Sequence, residues 1–273
     1  MNPNASPLQR SCRLLLWTYS IAVLVFLMAP ILVIMPLSFS SGSFFYYPLP
    51  GFSLRWYEDF FTSGNWLPTL KNSLLVGVSA TVLATVLGTL AAFGFWRTKF
   101  RGRAFVFALL LSPMVVPVII VAVGMYFAFA RVGLANSLVG LTLAHAALGV
   151  PFVLVSVSAS LAGFDVNLLR AAANLGASPL RAFFRVALPM LAPGIFSGAL
   201  FAFAISFDEV VVAMLLTGPD QRTLPRQMFA GINDNISLTI TAAATLLIGL
   251  AVLLLLTLEW LRRRSARLRG VTA

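Results

Sequence analysis

Two adjacent acidic residues, Asp208 and Glu209, lie within the apolar stretch FAFAISFDEVVVAML of residues 201–215. A charged side chain near the centre of a bilayer costs about 3 kcal/mol or more, so acids inside a membrane-spanning segment are rare and tend to mark a function. A carboxylate in such a place can attract a cation, carry a proton, or bond across a contact between helices. In each of these roles, the acids must be held in place by the surrounding membrane-spanning helices.

Other residues that could support chemistry are scarce. Cys12 and His145 are the single cysteine and the single histidine of the chain, so neither an internal disulfide nor a His/Cys metal cluster is expected. The sequence also offers no set of nucleophile, base and orienting residue, which disfavours an intramembrane enzyme. We expect no cofactor and no metal. His145, in LTLAHAALGV, is predicted to make a hydrogen-bonded packing contact, with a functional role as the alternative.

The composition is that of a membrane protein. Of the 273 residues, 60% are hydrophobic and only 10% are charged, whereas a soluble domain carries about 25% charged residues. The net charge of +11 does not indicate nucleic-acid binding, because the basic residues lie between apolar runs and not on one surface. We predict a single transmembrane domain over residues 1–273, with membrane lipid as its solvent.

Six apolar runs are long enough to cross about 30 Å of hydrocarbon. They predict an all-α membrane protein with six transmembrane helices near residues 14–37, 71–95, 104–130, 136–161, 191–216 and 236–261. The first run is too long for a signal peptide and lacks a small-residue cleavage site, so we expect it to be retained. The two outer loops, near residues 38–70 and 217–235, are rich in Gly, Pro and aromatic residues, which fits anchoring at the membrane interface.

Lysines and arginines are distributed unevenly between the two sides of the predicted membrane. Of the 19 basic residues, fourteen lie on the side that holds both termini. These are Arg10 and Arg13 at the N-terminus, Arg97, Lys99, Arg101 and Arg103 in the second loop, Arg170, Arg181 and Arg185 in the fourth loop, and Arg262, Arg263, Arg264, Arg267 and Arg269 in the tail. Cytoplasmic segments carry such an excess, so both termini are predicted to be cytoplasmic.

The loop between the fourth and fifth spans, FDVNLLRAAANLGASPLRAFFRVALPMLAPG, contains signals for two helices. Asp165 can cap a first helix from Val166 onward, and Gly176 can end it in a left-handed conformation. Ser178 and Pro179 then begin a second helix, which Pro189 is expected to stop before the fifth span. The pattern predicts two short amphipathic helices with a tight bend. Either a docking surface or a segment resting on the membrane interface would account for them.

The spacing in residues 165–189 resembles the EAA motif of ABC importer permeases. The matching residues are Arg170, Ala171 and Ala172, then Gly176, and after nine further residues Val186, Leu188 and Pro189. The resemblance implies a type I ABC importer permease fold in which this segment, here called the coupling loop, seats on a cytoplasmic ATPase subunit. Arg170 stands where the family has Glu, and a cation in the first helical turn opposes the helix dipole.

The stretches GFSLRWYEDFF, NSLLVGVSATVLATVLGTLAAFGFWR and FAISFDEVVVAMLLTGPDQRTLPRQMF are similar to the second permease subunit of spermidine/putrescine importers. This resemblance implies polyamine transport by alternating access across the bacterial inner membrane. It also implies ATPase subunits, a second homologous permease chain and an external solute-binding protein as partners. The sequence contains no G-x-x-x-x-G-K-[ST] motif, so ATP hydrolysis is expected in a separate chain.

Four small residues recur at every fourth position of the fifth span: Gly194, Gly198, Ala202 and Ser206. Small residues at this spacing let membrane helices approach closely. On a continuous helix, at about 100° per residue, Glu209 would lie at the centre of this stripe. Asp208 would lie about 100° away, beside Phe201, Ile205 and Val212. We therefore expect Glu209 to bond across a helix contact and Asp208 to face a polar substrate path.

Two alternatives to polyamine import by an ABC permease remain open at this stage. One is an ABC permease for another small solute, since related permeases carry different cargo. The other is a secondary transporter that uses Asp208 or Glu209 as a proton carrier. Uptake driven by ATP and not by a proton gradient would separate the two classes. Whether the pore is formed by two copies of this chain or by two different chains also stays open.

Overall fold

The computed structural model describes residues 7–234 and 237–268, with the side chains of residues 12–232, 237–257, 259 and 260. Within these residues the secondary structure is helical, apart from turns and one isolated bridge between Ser40 and Phe52. Five helices are long and apolar enough to cross a membrane, and one bent helix pair can supply a sixth crossing. The predicted all-α membrane fold is confirmed.

In chain order the helices of the described residues are α1 (Pro7–Leu37), α2 (Arg55–Thr62), α3 (Trp66–Arg97), α4 (Arg103–Val115), α5 (Val118–Arg131), α6 (Leu138–Ala162), α7 (Asn167–Asn174), α8 (Pro179–Ala182), α9 (Leu188–Asp208), α10 (Val211–Leu216), α11 (Leu224–Asp234) and α12 (Thr239–Leu268). A π-helical turn, Phe183–Ala187, joins α8 to α9. The predicted first, second and fourth spans correspond to α1, α3 and α6.

The last predicted span, residues 236–261, corresponds to α12. Its first residue, 236, lies outside the described residues. The side chains of Arg10, Arg262, Arg263, Arg264 and Arg267, and all of Arg269, also lie outside them. The cytoplasmic position of both termini rests on these basic residues and therefore stays a prediction.

The third predicted span, near residues 104–130, is not one straight helix. It consists of α4 and α5, which meet at an angle of 107°. Val116 is extended, with φ −72° and ψ 134°, and Pro117 follows it. Proline lacks the N–H that would continue the helix, and it disfavours the helical conformation of the preceding residue. Pro117 therefore favours the break without dictating it, because the same dipeptide, Val150–Pro151, lies within the continuous helix α6.

The residues fall into two compact units, of which the first comprises residues 1–62 and 234–248. In this unit the segment after α1 is held by side-chain bonds: the hydroxyls of Ser38 and Tyr57 lie 2.7 Å apart, and Nε1 of Trp56 donates to the carbonyl of Ser40 at 2.8 Å. The hydroxyl of Thr239 donates to Asp59 at 2.6 Å. These polar bonds help to order the segment between α1 and α2 and join α2 to the start of α12.

The second unit comprises residues 63–233 and 249–273, and its core is formed where α3, α6 and α9 pack together. Toward the end of α6, one apolar cluster joins Val153, Val157 and Leu161 to Leu191 of α9. Toward the start of α6, a second cluster joins Leu141 and Leu148 to Val76 of α3 and to Val212 and Leu216 of α10. Of the residues that the sequence singles out, His145 lies on α6, and Asp208 and the stripe of small residues lie on α9. The single domain over residues 1–273 stays a prediction.

Candidate functional site

The fifth span is interrupted at the two acids. The predicted continuous span near residues 191–216 was wrong in this respect: α9 ends at Asp208, and α10 begins at Val211. Glu209 between them is extended, with φ −74° and ψ 116°. Its own carboxylate bonds to the backbone three residues later, which gives the chain an alternative to the helical hydrogen bonds.

The position of Glu209 on a continuous helix predicts a bond across a helix contact. The structure instead shows a local bond. Its Oε1 accepts a hydrogen bond from the N–H of Val212 at 2.9 Å. This bond satisfies one of the N–H groups that the first turn of α10 leaves free, which is the role of a capping side chain. The half-buried carboxylate also lies at the positive end of the α10 dipole. Its observed contact is thus local.

Asp208 lies in a different environment from Glu209, as the sequence predicts. Its side chain is exposed on the chain, and among the described residues it has no hydrogen bond or ion pair. Of its predicted neighbours, Phe201 is also exposed, whereas Val212 is fully buried in the second apolar cluster. As the last residue of α9, Asp208 stands at the negative end of the helix dipole, where a carboxylate is unfavourable. Its charge therefore does not serve to stabilise the helix.

The stripe of small residues on α9 is confirmed as a packing seam. Gly194, Gly198, Ala202 and Ser206 are all buried, and α6 lies against them. A Cβ added to Gly198 would come within 2.8 Å of the Cα of Val153, and one added to Gly194 would come within 2.0 Å of the hydroxyl of Ser160. Only glycine permits this approach of α9 to α6.

His145 makes the hydrogen-bonded packing contact that the sequence predicts. Its Nδ1 lies 2.9 Å from the hydroxyl of Ser206, and both side chains are buried. The bond joins α6 to α9 two residues before Asp208. Nε2 of His145 has no partner among the described residues. The observed role of the ring, given by its burial and its bond to Ser206, is packing between α6 and α9.

The first half of the coupling loop folds as predicted, with its cap shifted by one residue. The helix α7 has Val166 at its N-cap position, and Oδ1 of Asp165 accepts from the N–H of Asn167 at 2.9 Å. After α7, Gly176 is left-handed, with φ +83°. The N–H of Gly176 donates to Ala173 at 2.9 Å, and the N–H of Ala177 donates to Ala172 at 3.0 Å. These two bonds form a Schellman motif, which fixes the bend.

The second half begins as predicted but does not end at Pro189. Ser178 is the N-cap of α8 and accepts from the N–H of Arg181 at 3.4 Å, with Pro179 as the first helical residue. The helix then continues through the π-helical turn into α9. There the N–H of Leu188 donates to Phe183, five residues back. A π turn changes the hydrogen-bond register of the helix. The helix can therefore tolerate proline, which has no N–H, at position 189 near the start of α9.

Aromatic contacts anchor the coupling loop to α3. The ring of Phe183 packs edge-on against Phe93 at 4.8 Å between centroids. Phe164, directly before the loop, packs edge-on against Trp96 at 5.6 Å. Leu169 of α7 also packs on the apolar core. Of the other motif residues, Ala172, Val186 and Leu188 are half-buried, whereas Arg170, Ala171, Gly176 and Pro189 are exposed. The loop thus has one face fixed to the spans and one face free.

Sequence analysis did not single out the residues that order the loop after α10. The N–H of Leu224 donates to the hydroxyl of Ser73 at 2.7 Å, and the amide of Asn72 donates to the carbonyls of Asp220 and Arg222, both at 3.0 Å. Arg226 donates to the carbonyl of Thr217 at the end of α10. Burial and the neighbouring Arg222 lower the pKa of Arg226. Polar residues at the start of α3 were the available signal for these contacts.

The family model for binding-protein-dependent transport system inner membrane components matches residues 84–267 of this chain. The chain belongs to this family. It is therefore a multi-pass inner-membrane permease subunit of an ABC transporter, and not an enzyme. The matched residues include the coupling loop, both acids and the packing seam. The secondary-transporter alternative is set aside by this finding.

Curated relatives are similar over almost the whole permease. The spermidine/putrescine transport system permease protein PotC of Escherichia coli strain K12 is 32% identical over 255 residues, which cover 93% of this chain and 96% of the relative. The protein of the same name from Shigella flexneri is 31% identical, with coverage of 94% and 97%. The putrescine transport system permease protein PotI of E. coli K12 is 32% identical, with 82% of each chain covered.

A solved structure supports the permease fold. A chain of a bacterial ABC transporter involved in the import of the acidic polysaccharide alginate superposes with a TM-score of 0.73 at 15% sequence identity. The alignment covers 96% of this chain and 99% of the other. At this identity the likeness concerns the fold alone.

Proposed function

We propose that this permease subunit carries polyamines such as spermidine and putrescine into the bacterial cell. The observation that supports this most strongly is the identity of about one third to permeases named for spermidine and putrescine, over more than 90% of both chains. Polyamines are cations at neutral pH, so their path through the membrane needs negative potential. Asp208 meets this need, because it is an exposed carboxylate within an otherwise apolar span.

In this proposal Asp208 and Glu209 belong to the substrate path but have different roles. An exposed acid within a span faces either lipid, which is costly, or the space between permease chains. We assign Asp208 to that space, where its charge and the negative end of the α9 dipole attract ammonium groups. Glu209 shapes the path by capping α10 and holding the break open. Binding at this point is weak, because a pore must release what it admits.

The proposed assembly contains a second homologous permease chain in a heterodimer, cytoplasmic ATPase subunits and an external solute-binding protein. The permease contributes no nucleotide chemistry of its own. Instead, the coupling loop transmits ATPase closure to the spans, and the loaded path opens alternately to the two sides. The residues assigned to this coupling are Arg170, Ala171, Ala172, Gly176, Val186, Leu188 and Pro189. Because α8 continues through the π-helical turn into α9, a movement of the coupling loop can be transmitted along one helical segment to Asp208.

Transport by the reconstituted importer tests the proposed function. The co-expressed subunits are placed in vesicles, and uptake of labelled spermidine, of a neutral disaccharide and of an acidic amino acid is measured with the binding protein outside. We expect uptake of spermidine alone, dependent on ATP and unchanged by a proton gradient. Transport of only the neutral or the anionic solute would contradict the polyamine assignment.

A further inference from the structure

Three arginines of the coupling loop are exposed and make no ion pair with a described carboxylate. Arg170, Arg181 and Arg185 are all exposed, and none of them makes an ion pair with a described residue. Arg170 reaches only the amide oxygen of Asn167, at 3.3 Å. The one acid of the loop, Asp165, already accepts a hydrogen bond from the backbone at the start of α7. The free face of the loop is therefore basic.

Two leucines are exposed on either side of the bend in the same loop. Leu175 is 89% exposed and Leu180 is 71% exposed. Gly176 forms the bend between them, and Phe183 and Leu169 of the same loop pack against the apolar core. Two large apolar side chains are thus exposed beside a bend closed by two backbone hydrogen bonds, in a loop that also carries three exposed arginines. This combination suits contact with another surface.

We propose that the coupling loop docks into a groove with an apolar floor and an acidic rim on the ATPase subunit. This inference rests on the proposed docking function and adds the chemistry of the partner surface. Leu175 and Leu180 enter the floor, because their burial there removes apolar area from water. Docking brings the three arginines near the rim, where carboxylates must replace the water that they lose. A basic rim would repel them.

The membrane surface is a less suitable partner for this face. A helix that lies on a bilayer needs a broad apolar stripe to insert below the headgroups. The sequence of α7, NLLRAAAN, offers only Leu168 and Leu169 as large apolar residues, and Leu169 is already packed on the core of its own chain. The most exposed leucines of the loop, Leu175 and Leu180, stand at the bend instead, which suits a local pocket.

Charge reversal in the assembled importer tests the acidic rim. The complex is held through a tag on the permease in nanodiscs of uncharged lipid, and release of the ATPase subunit is followed at 0.1 M and 0.5 M NaCl. We expect Arg170→Glu, Arg181→Glu and Arg185→Glu each to speed release by roughly tenfold at the lower salt. At the higher salt, screening should reduce the difference to about threefold or less. Arg101→Glu, an exposed cation outside the loop, is the matched control and should leave release unchanged.

A second measurement separates the inference from the docking function on which it rests. Ala177→Cys is placed at the bend, and its crosslinking to cysteines on the ATPase reports docking without regard to charge. Crosslinks with no effect of charge reversal would overturn the acidic rim and leave docking intact. Absence of crosslinks in an assembled complex would contradict docking itself. An effect of reversal that requires anionic lipid in the nanodisc would assign the arginines to the membrane and overturn the inference.

Discussion

The carboxylate oxygen Oε1 of Glu209 lies 2.9 Å from the backbone nitrogen of Val212, so this acid closes the first turn of the helix that follows it. Its neighbour Asp208 is the last residue of the preceding helix and has no bonding partner among the described residues. Two adjacent acids thus divide the roles: one holds a break in a membrane span, and the other leaves its charge free at that break.

Loss of the cap should reduce stability without removing the negative charge of Asp208. We expect Glu209→Ala to lower the free energy of unfolding by about 1 kcal/mol, the usual effect of removing a capping side chain. Glu209→Gln keeps an oxygen acceptor and should lie close to wild type. Unfolding of the purified permease in detergent measures the difference. Equal stability of the alanine variant and wild type would show that the bond to Val212 contributes nothing.

The buried pair His145 and Ser206 should show coupled energetics. Removing either partner leaves the other polar group buried without a bond, which costs about 1–3 kcal/mol, whereas removing both avoids that penalty. We therefore expect the double variant His145→Ala/Ser206→Ala to be less destabilised than the sum of its single variants. Additive effects would mean that the 2.9 Å contact carries no energy.

The close approach of α9 to α6 predicts that even one methyl group at Gly198 is destabilising. Its Cβ would meet the backbone of Val153 at 2.8 Å, so Gly198→Ala should cost about 2 kcal/mol through overpacking. Gly94 of α3 has no atom within 4 Å of an added Cβ. Gly94→Ala is therefore the matched control, and it should be neutral or stabilise the helix by about 0.5 kcal/mol. Similar effects of the two changes in detergent unfolding would argue against the seam.

The bend of the coupling loop should depend on the left-handed conformation of Gly176. A β-branched residue is strained there, so Gly176→Val should cost about 1–2 kcal/mol locally and reduce substrate-stimulated ATP hydrolysis. Gly176→Asn should be milder, since Asn tolerates this conformation. Gly163 has φ −98° and open space around its Cβ position, so Gly163→Val is the control. Normal ATP coupling in Gly176→Val would show that the bend is not needed.

The sequence predicts the parts of this fold that depend on periodic patterns and on strong local signals. Apolar runs give the spans, the spacing of Gly194 and Gly198 gives the seam, and Gly176 gives the bend. The lone histidine was also assigned correctly, because a buried imidazole needs a hydrogen-bond partner. These features follow from local chemistry, so a single amino-acid sequence is enough to predict them.

The two breaks and the route past Pro189 were not predicted, because hydropathy does not register backbone conformation. The apolar run bends at Val116 and Pro117 without a change in its composition. At Glu209 a side-chain bond competes with helix continuation, and the assumption of a continuous helix placed this acid on the wrong face. At Pro189 the opposite error occurred, since a π-helical turn let the helix continue. At Glu209 and Pro189 the hydrogen-bond pattern of the backbone decides the outcome, and hydropathy carries no information about it.

The role of Asp208 in the substrate path is the central claim for this permease. Asp208→Asn keeps the size and the hydrogen-bonding capacity of the side chain and removes its charge. Asp220→Asn is the control, because Asp220 is an exposed aspartate in the loop after α10 that the proposal does not assign to the path.

The most direct measurement is the initial rate of ATP-driven spermidine uptake per assembled importer in reconstituted vesicles. For Asp208→Asn we expect a loss of about tenfold, equivalent to about 1.4 kcal/mol of lost stabilisation of the cation in the path, with normal assembly and with Asp220→Asn close to wild type. Full uptake by Asp208→Asn would contradict the account, since the carboxylate would then have no role in transport.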